Sequence, residues 1–251
     1  MEITFPFLLV SMIGLLIGSF LNVCIYRLPK HENIVYVSSH CMSCGYNLKW
    51  YDLVPVFSYV CLGGKCRKCK AKISIQYPVI EILNGVAYLL IFLYKGLTVD
   101  SLLYCFLFSA LLVLSVIDFR TYEIPDGINI FILALGLIRT VLYYTDWLNH
   151  VIGLLSVSIL LYILYQATKG RAIGGGDVKL MGAAGLFLGW QESILAFILG
   201  CVLGSIIHIL RMKFGKEKNH MLAMGPYLSM GIMITALFGR VFIDWYIGFY
   251  R

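Results

Sequence analysis

Residues 101–127 read SLLYCFLFSALLVLSVIDFRTYEIPDG. No charged side chain interrupts the run from Ser101 to Ile117, and then Asp118 appears. A helix on the surface of a soluble domain carries a charged face, and this stretch has none, so it is read as a helix surrounded partly by lipid.

The rest of the chain supports that reading. Apolar stretches recur at 3–26, 79–94, 127–144, 151–167, 177–190, 193–210 and 227–247. The 251 residues are 60% hydrophobic and 13% charged, with a mean hydropathy of +0.86. Soluble domains carry about 25% charged residues. The prediction is an all-α polytopic membrane protein with about eight transmembrane helices, of which 177–190 is short against the ~20 residues a span needs. The first stretch follows Glu2 and has neither a basic leader nor a small-residue cleavage site, so it is expected to be retained.

Counting helices in order, the loops after the first, third, fifth and seventh share one side and hold 15 of the 20 Lys and Arg residues. The positive-inside rule makes that side cytoplasmic and puts both termini outside. The net charge of +7 thus reports topology first. Attraction to anionic membrane lipid comes second. Charge alone gives no case for nucleic-acid binding.

Three segments are expected: a first transmembrane helix over 1–26, a water-exposed module over 27–77 and a transmembrane domain over 78–251. The module holds Cys41, Cys44, Cys66 and Cys69 as two C-x-x-C pairs, in CMSC and CRKC. Two such pairs can converge on one tetrahedral cation, and cytoplasmic thiols do not form stable disulfides, so structural Zn²⁺ is predicted. Four sulfurs leave no coordination position for a reacting water. Cys24, Cys105 and Cys201 lie in apolar stretches and read as packing residues.

Asp118 ends the third helix and Asp177 begins the sixth, in RAIGGGDVKLMGAAGLFLG at 171–189. Both fall at the cytoplasmic boundary, where an ionisable group is costly unless it faces the bundle interior with a partner. Two carboxyls meeting there can share a proton: one takes a proton from water while the other polarises a carbonyl. The competing reading makes both acids interfacial caps; it suits Asp177 better than Asp118, which faces the negative end of its helix. On the same helix-dipole ground, Asp177 is the expected ionised partner. Gly174, Gly175 and Gly176 allow positive φ angles and let a second backbone come close.

Together these pieces resemble the bacterial type IV prepilin leader peptidases, within the GxGD membrane aspartyl proteases. The resemblance rests on GSFLNVCIYRLP at 18–29, the two cysteine pairs with DLVPVFSYV between them, ISIQYPVIE at 73–81, IDFRTYEIPD at 117–126, GGGD at 174–177 and MGPYL at 224–228. It implies that Asp118 and Asp177 are the catalytic pair and that Gly174 and Gly176 are the glycines of the G-x-G-D motif. It also implies a bacterial inner-membrane enzyme that cuts the basic leader from prepilins or prepseudopilins on the cytoplasmic side. Methylation of the new amino terminus with S-adenosylmethionine is implied by the resemblance alone, with no residues assigned. Met42-Ser43 in the first cysteine pair and Met224 before Gly225-Pro226 depart from the usual pattern without removing a ligand or an acid. Two rival readings use the same acids. One is an intramembrane protease of presenilin or signal-peptide-peptidase type, which lacks the cysteine module; the other is a zinc-responsive sensor or proton-coupled transporter.

Overall fold

A computed structural model describes residues 4–36, 38–171, 173–214 and 223–249. Its helices are α1 (Thr4–Arg27), α2 (Phe57–Cys61), α3 (Gln76–Lys95), α4 (Val99–Thr121), α5 (Asp126–Leu142), α6 (Trp147–Thr168), α7 (Gly175–Leu188), α8 (Trp190–Phe214) and α9 (Gly225–Gly248). The chain is all-helical, as expected. Each of the eight apolar stretches forms a helix, and among the described residues six helices are long and apolar enough to cross a membrane. The other two of the eight are α5, with 17 residues, and α7, with 14.

Two compact units divide inside α4, at Ser109/Ala110. In the first, α1 packs directly on α3. A Cβ added at Gly14 would lie 2.9 Å from the Gly85 Cα, and one at Gly18 would lie 2.7 Å from the Glu81 Cα. Lipid supplies no hydrophobic drive for helices to associate, so close backbone contact and buried hydrogen bonds hold them. Asn84 Nδ2 donates to the Gly14 carbonyl (2.7 Å), Ser109 Oγ donates to Asn84 Oδ1 (2.8 Å), and Tyr88 Oη lies 3.0 Å from Ser109 Oγ. The sequence divides at 77/78, whereas this packing keeps α3 with α1 and the cysteine module.

In the second unit α7 is packed against α5, α6 and α8, and every residue from Leu180 to Leu188 is buried. At 1.5 Å per residue α7 is about 21 Å long, less than a hydrocarbon core of about 30 Å. Its last carbonyls would be costly to leave unbonded at that depth. His150 Nδ1 donates to the Leu186 carbonyl at 2.9 Å, and Arg139 Nη1 donates to the Phe187 carbonyl. Asn149 Oδ1 accepts the Trp190 N–H across the break at Gly189, whose φ is +99°. Arg139 and His150 are buried, and a cation at a helix C-terminus is electrostatically favourable.

Candidate active site and metal centre

Asp118 lies one turn from the end of α4 and is 5% exposed. It does not face only the negative end of its own helix. The backbone N–H of Gly225, at the start of α9, donates to Asp118 Oδ2 at 2.8 Å. Pro226 follows Gly225 in the first turn, a position that needs no N–H donor. A Cβ at Gly225 would stand 2.7 Å from Asp118 Oδ2 and 3.0 Å from Leu114 Cδ2, so only glycine brings the backbone this close. Sequence reasoning had Gly225 as one letter of a matching motif and missed this contact. Pro226 at a helix start was the available signal. The contact also removes the basis for ranking the two acids, since each now faces the positive end of a helix.

Asp177 lies in the first turn of α7, whose N-cap is Gly174. The Asp177 carboxyl turns back toward Gly174, and both acids lie at helix ends within the second compact unit. Of the two uses the glycine run allows, the structure takes one. Gly174 has φ −73°, Gly175 and Gly176 are helical, and none of the three has a positive φ. Their value is close approach. A Cβ at Gly176 would lie 2.8 Å from Ile124 Cβ, and one at Gly174 would lie 3.2 Å from Asp177 Oδ2. Ile124 belongs to the turn between α4 and α5, and beyond it Asp126 Oδ1 meets Lys179 Nζ at 2.7 Å. That ion pair is exposed and adds little stability, so the glycine contact sets the spacing.

The cysteine module lies in the first unit, between α1 and α3. The Sγ atoms of Cys41, Cys44, Cys66 and Cys69 lie within 4.8 Å of one another, with Cys41 and Cys69 3.8 Å apart. Four sulfurs about 2.3 Å from a tetrahedral cation sit about 3.8 Å apart, so the four fit one metal ion. The two pairs are built alike. The Cys41 N–H bonds the Tyr46 carbonyl (2.9 Å), and the Cys66 N–H bonds that of Ala71 (2.8 Å). Gly45 and Lys70, each directly after its second cysteine, have φ values of +67° and +61°. Backbone N–H groups of Ser43 and Cys44 draw the Cys41 thiol down to about 6. At Cys69 the Ala71 N–H favours the thiolate, but local desolvation and the other three sulfurs outweigh it and push the thiol up to about 11. Four thiolates crowded together repel one another, and a dication relieves that repulsion.

Basic residues close to the sulfurs in sequence, Lys65, Arg67, Lys68, Lys70 and Lys72, suit a cluster of thiolates. Arg67 instead pairs with Asp52: its Nε lies 2.7 Å from Asp52 Oδ1, and its guanidinium covers the Tyr51 ring at 4.9 Å. Asp52 Oδ2 also accepts the Lys49 N–H at 3.3 Å, so this buried acid ties the linker between the cysteine pairs to the second pair. Among the apolar-stretch cysteines, Cys24 and Cys105 are buried as packing residues, while Cys201 is half-buried.

A polytopic helical membrane protein with an acid pair at helix ends and a separate four-sulfur module defines the class. Residues 12–95 match the bacterial peptidase A24 N-terminal domain, and residues 105–209 match the type IV leader peptidase family. Proteins called prepilin leader peptidase/N-methyltransferase are similar along almost the whole length. The one from Pseudomonas putida is 31% identical, over 95% of this chain and 93% of its own. That from Pectobacterium carotovorum subsp. carotovorum is 32% identical over 88% and 89%, and that from Legionella pneumophila 28% over 98% and 96%. The chain belongs to the type IV leader peptidase family. No solved structure is a significant match.

Proposed function

We propose that this peptidase uses Asp118 and Asp177 together to hydrolyse one peptide bond in a prepilin or prepseudopilin, where the basic leader meets the apolar segment. The cut would fall on the cytoplasmic face of the bacterial inner membrane. What supports this reading is the placement of the two acids at helix ends of the same compact unit: Asp118 Oδ2 accepts the Gly225 N–H at the start of α9, and the Asp177 carboxyl turns back over Gly174 at the start of α7. Two carboxyls meeting there would share one proton. The ionised carboxylate takes a proton from water as the oxygen attacks the scissile carbonyl carbon, and the protonated carboxyl hydrogen-bonds the carbonyl oxygen. The tetrahedral intermediate then collapses, the C–N bond breaks, and the leaving amine takes a proton from the pair. The exposed backbone at Gly174 leaves room for an extended peptide beside Asp177, while Gly176 is taken up by Ile124.

The relatives' names add methylation of the exposed amino group, for which S-adenosylmethionine supplies an electrophilic methyl. In the module, Cys41, Cys44, Cys66 and Cys69 would hold Zn²⁺, the ion that closed four-thiolate sites favour. Its role would be to fold a loop with little apolar core of its own.

Incubation of the reconstituted protein with a prepilin, with and without S-adenosylmethionine, tests the reading by the masses of both products. Wild type should show leader loss, plus one methyl increment only with the donor. Asp118→Asn and Asp177→Asn should each abolish leader loss. Cleavage surviving either substitution refutes the pair.

A further inference from the structure

The cysteine module carries apolar side chains that its own packing leaves uncovered. Trp50 is 79% exposed, Phe57 69%, Val60 68% and Ile75 70%, and Leu53 and Val54 are also exposed. They follow one another along the linker between the two cysteine pairs and on to the start of α3. A water-exposed loop rarely displays so many large apolar groups unless they bind something.

One hydrogen bond fixes their depth. The Val56 N–H donates to Glu81 Oε2 at 2.7 Å, and Glu81 is a buried acid in the second turn of α3. Val56 is a β-branched residue at φ +59°, a conformation it avoids unless held. The contact therefore pins the linker beside the end of a spanning helix, where the bilayer boundary falls. Leu53, Val54, Phe57 and Val60 flank the pinned residue. Exposed Lys49, Lys65, Lys68, Lys70 and Lys72 flank them along the chain. Over residues 27–77 there are eight basic side chains against two acidic ones, Glu32 and Asp52, and Asp52 is already paired with Arg67.

We propose that the module docks on the surface of an anionic phospholipid bilayer. Leu53, Val54, Phe57 and Val60 enter the boundary between headgroups and acyl chains, Trp50 sits at headgroup level, and the lysines contact lipid phosphates. Charge selects this occupant: a basic leader peptide would be repelled by the same lysines, whereas an anionic surface is attracted. The docking extends the contact that α1 and α3 already make with lipid. It holds whether or not the acid pair performs the proposed cleavage.

The test uses the full chain in nanodiscs of pure phosphatidylglycerol or pure phosphatidylcholine, with a photo-reactive benzophenone amino acid at position 57. Irradiation should give lipid adducts at that position. Hydrogen exchange over residues 50–61 should be at least about fivefold slower in phosphatidylglycerol, because each basic residue near an anionic surface strengthens docking by roughly that factor. The double variant Phe57→Asp/Val60→Asp should abolish the difference while the bound-metal content, which reports the fold of the module, stays at the wild-type level. If that variant fails to fold, the adduct and exchange readings on the wild-type linker still decide. Adducts only with a prepilin peptide or with the chain itself, or equal exchange in both lipids, would overturn the proposal.

Discussion

Replacing Gly225 with alanine tests the geometry of the acid pair without touching either acid. The new Cβ would stand 2.7 Å from Asp118 Oδ2, against an ordinary contact of at least 3.4 Å, so the carboxyl must retreat by about 0.7 Å. A side-chain end can make that move, so the fold should survive. The move stretches the 2.8 Å hydrogen bond from the Gly225 N–H, and a bond to a charged acceptor contributes about 1.5–3 kcal/mol. A misplacement approaching 1 Å at a reacting group costs on the order of 100-fold in rate. Together these predict a drop of about 10- to 100-fold in kcat/KM for leader removal. The assay is single-turnover cleavage of a prepilin by detergent-purified protein, read by gel shift and mass. Gly248→Ala is the matched control, because nothing lies within 4 Å of a Cβ there. A Gly225→Ala protein that cleaves at the wild-type rate would refute the role given to the start of α9.

Three other substitutions probe separate parts of the structure. Gly176→Val would push Ile124 and the turn after α4 away from Asp177, so leader cleavage should fall at least as far as in Gly225→Ala, while a control at Gly127, where a Cβ meets nothing, stays active. Lys70→Gly should strengthen the module by about 0.5 kcal/mol, because a left-handed lysine is strained and glycine is not; competition with a zinc chelator should register about a twofold tighter site. Arg139→Met removes a buried donor from the Phe187 carbonyl and should destabilise the protein by about 1–3 kcal/mol, read as a lower Tm in detergent with the cysteine module unchanged.

The readable features were local. Helix positions followed from hydropathy because lipid exposure demands apolar residues over whole stretches, and all eight stretches are helices. The cysteine pairs were legible because C-x-x-C spacing by itself points two thiols at one point. The shortness of α7 was legible too, in the stretch 177–190, but its partners were not: Arg139, His150 and Asn149, from other helices, bond the groups at its break. The glycines beside Asp177 read as sites of close approach, but which group arrives there, Ile124 opposite Gly176, depends on the fold.

The sequence alone determined that the chain lives in a membrane, that four cysteines form one cluster, and which two acids deserved notice. Each of those follows from residue type and short-range spacing. Tertiary packing alone decided that Asp118 meets a backbone donor 107 positions away and that the exposed linker is pinned to Glu81. Such contacts depend on which helix faces close on one another, and a pairing between distant positions leaves no periodic or compositional mark in a single chain.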